Sequence, residues 1–129
     1  MSKIYIVDDS KVIRERLKEM LVEISSVHTI GQTGDPMEAL NDIRKYQPDA
    51  VILDIRLPGI NGIELLKKIK AEQPSTIVIM LTDYPYRQYR QQSMQAGADY
   101  FFHKATEFKK VIDLLKSLNS HHVFDHNKN

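Results

Sequence analysis

Residues 50–54 read Ala50-Val51-Ile52-Leu53-Asp54: four apolar residues in a row, then a carboxylate. So short a run, with no polar alternation, fits a strand covered on both faces, as in a parallel sheet flanked by helices. Turn chemistry follows in Leu57-Pro58-Gly59-Ile60-Asn61-Gly62, and beyond it Leu65, Leu66 and Ile69 recur at helical spacing. Strand, acid, turn and helix make a unit, and the rest of the chain repeats it.

Upstream, Ile4-Tyr5-Ile6-Val7 is an apolar run of the same kind that ends in Asp8-Asp9. Ser10 is placed to cap a helix whose inner face is Ile13, Leu17, Met20, Leu21 and Ile24. Residues 27–33 are more polar and suit an edge strand. Asp35-Pro36-Met37-Glu38 reads as a helix start, with Asp35 as N-cap, Pro36 at the first position and Glu38 completing a capping-box-like pair. Ala39, Leu40 and Ile43 give that helix its buried face, and Pro48 ends it.

Downstream, residues 77–81 form a third apolar strand ending in Thr82-Asp83. A less apolar helix covers about 86–95 and stops at Gly97. Tyr100-Phe101-Phe102-His103 is the last strand, ending at Lys104, and Thr106 starts a final helix with Phe108, Val111, Ile112, Leu115 and Leu118 inward. Five strand–helix units with short, right-handed connections give one doubly wound α/β domain, helices on both faces of a parallel sheet. The domain is expected to span 1–118, and 119–129 to form a polar tail.

Composition narrows the chemistry. The chain has 129 residues, 42% of them hydrophobic and 27% charged, which suits a single domain with a proper core. It has no cysteine, so disulfides, thiolate metal sites and cysteine nucleophiles are excluded. A formal net charge of +1 gives no reason to expect direct nucleic-acid or membrane binding. With no signal-peptide pattern at the start and no run near the roughly 18 apolar residues of a membrane span, a cytoplasmic protein is expected.

In an open α/β sheet, ligands sit beyond the carboxyl ends of the strands. The residues there are Asp8 and Asp9, Asp54, Thr82 and Asp83, and Lys104. Each alone has a bland reading: an acid after a strand is often a helix cap, a lone lysine a surface charge, a lone threonine a turn residue. Gathered on one rim, the carboxylates would repel one another unless a cation or Lys104 offset them. Oxygen-only ligands of this kind suit a hard cation such as Mg²⁺.

The pieces Ile6-Val7-Asp8-Asp9-Ser10, Leu53-Asp54-Ile55-Arg56-Leu57-Pro58-Gly59 with Gly62, Leu81-Thr82, Ala96-Gly97-Ala98, and Phe101 three residues before Lys104 come in an order that resembles the receiver domain of two-component response regulators. The likeness covers about nine-tenths of the chain. It implies the flavodoxin-like (βα)5 fold, a five-stranded parallel sheet in order 2-1-3-4-5. It implies Asp54 as the group that accepts phosphate from a phosphohistidine on a sensor histidine kinase or histidine phosphotransfer protein. It further implies Mg²⁺ held by Asp9 and Asp54, with Asp8 helping through water and the main-chain carbonyl of Arg56 completing the ligands. Thr82 and Lys104 would engage the phosphoryl group. Movement at Thr82 would let Phe101 turn inward and remodel the face of the fourth helix, fifth strand and last helix. The output would then pass to another protein or through self-association as a homodimer; the implied role is that of a signalling switch, not a conventional enzyme.

Two features depart from that family's pattern. Ala105 follows Lys104 where many receivers have a proline in a cis peptide, so Lys104 could be held less rigidly. Asp83 follows Thr82 where a small residue is common, and Arg56 points a cation at the same mouth; both are expected to modify the site. The region Tyr84-Pro85-Tyr86-Arg87-Gln88-Tyr89-Arg90 is rich in residue types enriched at interfaces, though a solvated helix reads equally well. Of three rival readings, the first two lack residues they need and the third stays open. A phosphatase of the haloacid-dehalogenase type needs a second Asp where Arg56 stands. A flavodoxin-like electron carrier needs a hydroxyl- and glycine-rich loop where Asp8-Asp9-Ser10 stands. A degenerate receiver that never carries phosphate is the third.

Overall fold

A computed structural model describes residues 2–121. Its main sheet has five parallel strands: β1 Ser2–Val7, β2 Val27–Thr33, β3 Ala50–Leu53, β4 Ile77–Thr82 and β5 Tyr100–His103. Their order across the sheet is β2-β1-β3-β4-β5, the 2-1-3-4-5 arrangement that the family resemblance implies. The more polar β2 is indeed an edge. Five helices alternate with the strands: α1 Lys11–Leu21, α2 Pro36–Tyr46, α3 Gly62–Glu72, α4 Arg87–Gln95 and α5 Lys104–His121.

The period of two along each strand splits the core into two layers. Tyr5, Val7, Val51, Leu53, Val78, Met80 and Phe101 face α2 and α3, with Tyr89 and Ala96 of the α4 region packed against them. Ile4, Ile6, Ala50, Ile52, Ile79 and Leu81 face α1 and α5, where Leu17, Leu21, Phe108, Val111, Ile112 and Leu115 lie. Both faces of the sheet are covered by helices, which is why the central strands read as unbroken apolar runs.

Local chemistry sets the helix ends. Ser10 Oγ accepts from Ile13 N, Asp35 Oδ1 from Met37 N and Asn61 Oδ1 from Ile63 N, so three helices start on a side-chain cap. The capping box at Asp35 does not form, however. Glu38 Oε1 takes the hydroxyl of Thr33, whose Oγ1 also accepts from Asp35 N. The last helix begins at Lys104 rather than Thr106, because Glu107 Oε1 reaches back to His103 N at 2.9 Å and closes the first turn early. It continues to His121, so the part of the expected tail at 119–121 is helical, and 122–129 lie outside the described residues.

Candidate functional site

Register builds the site. Val7 pairs with Leu53, so Asp8 and Asp54 leave the sheet side by side, with Asp54 N bonded to Val7 O at 3.0 Å. Thr82 pairs with His103, which puts Lys104 one step beyond it on the same rim. Lys104 turns back across the strand ends: its Nζ lies 2.6 Å from Asp8 Oδ2 and donates to Asp54 Oδ2 at 3.0 Å. The remaining carboxylate oxygens are also engaged, Asp8 Oδ1 by Ser10 N at 2.9 Å and Asp54 Oδ1 by Ile55 N at 2.7 Å. All three ionisable groups are buried, with exposures of 3% for Asp8, 5% for Asp54 and 8% for Lys104.

The electrostatics follow from burial. Loss of water pushes the Asp54 carboxyl up, Asp8's neighbouring charge adds to this, and Lys104 only partly offsets it. Burial likewise raises Asp8 against the opposing bonds from Lys104 and Ser10. For Lys104 burial pulls downward, but the bonds and charges of Asp8 and Asp54 outweigh it and raise the ammonium above its ordinary value. One ammonium therefore balances two buried carboxylates incompletely, and negative charge is left over.

That surplus is where a cation fits. Asp8, Asp9 and Asp54 each offer a carboxylate oxygen, all within 4.8 Å of one another. Asp9 is exposed, so one side of the group opens to water. Oxygen ligands, net negative charge and an open side match Mg²⁺, which keeps several waters and takes one or two carboxylates.

Around this centre, Thr82 is fully buried and its Oγ1 accepts from Tyr84 N at 3.1 Å. Arg56 and Asp83 are both exposed. Arg56 opens a small antiparallel ladder, Arg56–Leu57 with Ile60–Asn61, and its guanidinium carbon sits 4.2 Å from the Tyr84 ring centre. Phe101 is buried opposite Met80, and Arg90 holds it from outside, donating to its carbonyl at 3.2 Å with the guanidinium 5.4 Å from the ring. No peptide bond among the described residues is cis, and Lys104 is firmly placed by its two carboxylates despite Ala105.

Three supporting residues were not singled out for these contacts in the sequence. At Gly62 an added Cβ would lie 1.9 Å from Asp54 O, and Gly62 N bonds Ile55 O, so α3 starts directly against the backbone of Asp54. Arg14 and Gly34 both touch the peptide between Asp8 and Asp9. The glycine in the Asn61-Gly62 turn was a usable signal for the first. A lone arginine on a helix gave none for the second.

The strand order agrees with comparison to known proteins. Residues 4–116 match the family described as the response regulator receiver domain. Response regulator GacA of Pseudomonas aeruginosa is 28% identical over 118 residues, covering 92% of this chain and 55% of that protein. The fimbriae Z protein of Salmonella typhimurium is 30% identical, covering 95% of this chain and 59% of its own length. The chain thus spans little more than half the length of these curated relatives. Among solved structures, the CheY-like receiver domain protein of Methanospirillum hungatei superposes with a TM-score of 0.83 at 27% identity, covering 94% of this chain and 95% of that one. With the family match running over almost the whole described length, the chain belongs to the receiver domains of the two-component response regulators.

Proposed function

We propose that this receiver accepts a phosphoryl group on Asp54 from a phosphohistidine, on a sensor histidine kinase or histidine phosphotransfer protein, and signals through its α4–β5–α5 face. The observation that carries this is the buried Lys104 bridging Asp8 and Asp54 at the strand ends, with Asp9 on the open side. In the transfer, Asp54 Oδ attacks phosphorus, the phosphorus–nitrogen bond breaks, and its electron pair returns to the imidazole. Bound Mg²⁺, held by Asp9 and Asp54 with Asp8 through water and the Arg56 carbonyl, would supply positive charge against the phosphoryl oxygens.

The chain's own groups do the rest. Lys104 offers its donors to the new oxygens in place of the carboxylates it now bridges. Thr82, at present an acceptor for Tyr84 N, can turn its hydroxyl to donate. The new charge-assisted bonds bias the Thr82 loop, and through it Phe101 and α4, toward a second arrangement. Arg56 and Asp83, at the exposed mouth, set how readily donor and water reach Asp54. The signal passes to a partner protein or to a second copy, within the cytoplasm and without direct binding of nucleic acid or membrane. Among the described residues no helix is long and apolar enough to cross a membrane.

The test is intact-protein mass after incubation with Mg²⁺ and acetyl phosphate, for wild type and Asp54→Asn. One phosphoryl adduct that vanishes in the variant or without Mg²⁺ is expected. No adduct, with a phosphorylated histidine donor also failing, would make this a receiver that never carries phosphate.

A further inference from the structure

The peptide between Asp8 and Asp9 is clamped from two sides. Its carbonyl, Asp8 O, accepts a 2.7 Å bond from Arg14 Nη1, while Arg14 Nε donates to Gln32 Oε1 at 2.9 Å. One guanidinium thus ties the start of α1 to β2 and to the end of β1. Against the same peptide lies Gly34, where an added Cβ would stand 3.0 Å from Arg14 Nη1, 3.0 Å from Asp9 Cα and 3.2 Å from Asp8 O. Two residues outside the carboxylate cluster, Arg14 and Gly34, thus lie against this peptide.

The clamp matters most for Asp9. Asp8 and Asp54 are buried and their carboxylates are fixed by Lys104 and by backbone N–H groups. Asp9 is exposed, so the direction of its carboxylate depends on how its backbone is held. We propose that Arg14 is a positioning residue for the cation site: by fixing the plane of the Asp8–Asp9 peptide, with Gly34 as its backstop, it keeps the Asp9 carboxylate aimed at those of Asp8 and Asp54. This rests on the reading that these three acids hold Mg²⁺.

Charge and geometry predict opposite signs. Arg14 carries a positive charge near the site, so by Coulomb's law alone its removal should tighten Mg²⁺ binding. If its role is to aim Asp9, removal should weaken binding, by about 10-fold as is usual for groups that orient metal ligands.

Isothermal titration with Mg²⁺ decides, using the wild type, Arg14→Ala, Arg14→Lys, Gly34→Ala and Asp9→Asn, with circular dichroism to check folding. Arg14→Ala and Gly34→Ala are expected to raise the Mg²⁺ dissociation constant about 10-fold. Arg14→Lys should not rescue it, since one ammonium lacks the fork that serves both Gln32 and Asp8. In the Asp9→Asn background Arg14→Ala should have little further effect. Unchanged or tighter binding in folded Arg14→Ala, or equal weakening with and without Asp9, overturns the proposal. Should Arg14→Ala fail to fold, Gln32→Ala, which frees Nε but keeps the charge, reads the same quantity and must weaken binding. A wild type that binds no Mg²⁺ would refute the cation site itself and the positioning role with it.

Discussion

The guanidinium of Arg56 lies over the ring of Tyr84, 4.2 Å from its centre. The two residues sit in the segments that follow Asp54 and Thr82, so the contact joins two sides of the rim. An exposed contact of this kind is worth about 0.5–1 kcal/mol. Arg56→Ala and Tyr84→Ala should each shorten the lifetime of phosphoryl-Asp54 about two- to five-fold, the range that energy allows. The double variant should decay no faster than the quicker single one. Intact mass after a pulse of acetyl phosphate gives the rates, with additive effects counting against a joint role. Asp83→Ala should also speed the loss, and an unchanged rate would remove Asp83 from the account.

Lys104→Ala leaves two buried carboxylates without their cation. Stripping one partner from a buried ion pair costs about 3–5 kcal/mol. Urea unfolding in EDTA should show a loss of that order, and added Mg²⁺ should restore part of it. A variant as stable as the wild type in EDTA would mean that Asp8 and Asp54 take up protons instead.

Asp54→Asn should act in the opposite direction. Burial and the charge of Asp8 raise the Asp54 carboxyl, so the folded state holds this proton more tightly than the unfolded chain does. The favourable contribution is complete below the ordinary carboxylate range and is lost as pH rises through the raised value. At neutral pH without Mg²⁺ the variant should therefore melt higher, by about 3–5 °C if 1 kcal/mol is relieved. The gap should close as pH falls toward 4, and Mg²⁺ should raise the Tm of the wild type more than that of the variant. A variant that melts lower at neutral pH would contradict the sign.

Gly62→Ala puts a methyl where the Asp54 carbonyl now lies, 1.9 Å from the new carbon. The backbone of Asp54 or the start of α3 must shift. Overpacking of this kind costs about 1–3 kcal/mol, and acetyl phosphate labelling should fall along with stability. Normal labelling in a destabilised variant would show that α3, not Asp54, gives way.

Much of this was legible in the sequence because the sheet is covered on both faces. Runs such as Ala50-Val51-Ile52-Leu53 have few other readings, and the residue directly after each central run, Asp8, Asp54 or Thr82, lands on the rim by register alone. That logic brought Asp8, Asp9, Asp54, Thr82 and Lys104 to one end. What stayed hidden depends on where a long side chain finally reaches. Glu38 chose the hydroxyl of Thr33 over the backbone of Asp35, Glu107 moved the start of α5 back to Lys104, and Arg14 found a main-chain carbonyl. Spacing along the chain does not encode such choices, because several partners stand within reach of each.

The fourth helix differs from its neighbours in how it is held. Ser93 is its one buried residue, and among the described residues Ser93 Oγ is the one buried side-chain polar atom with no hydrogen-bond partner. Helix α3, by contrast, buries Gly62, Ile63, Leu65, Leu66 and Ile69. Little apolar surface would be lost by sliding α4, and an orphaned hydroxyl gives its present seat no advantage. Amide protons in α4 should thus exchange with deuterium sooner than those in α3. Mechanically, the domain pairs a stiff mount at α3 with a compliant lever at α4, and under the proposed switch a small push at one end of that lever becomes a visible displacement.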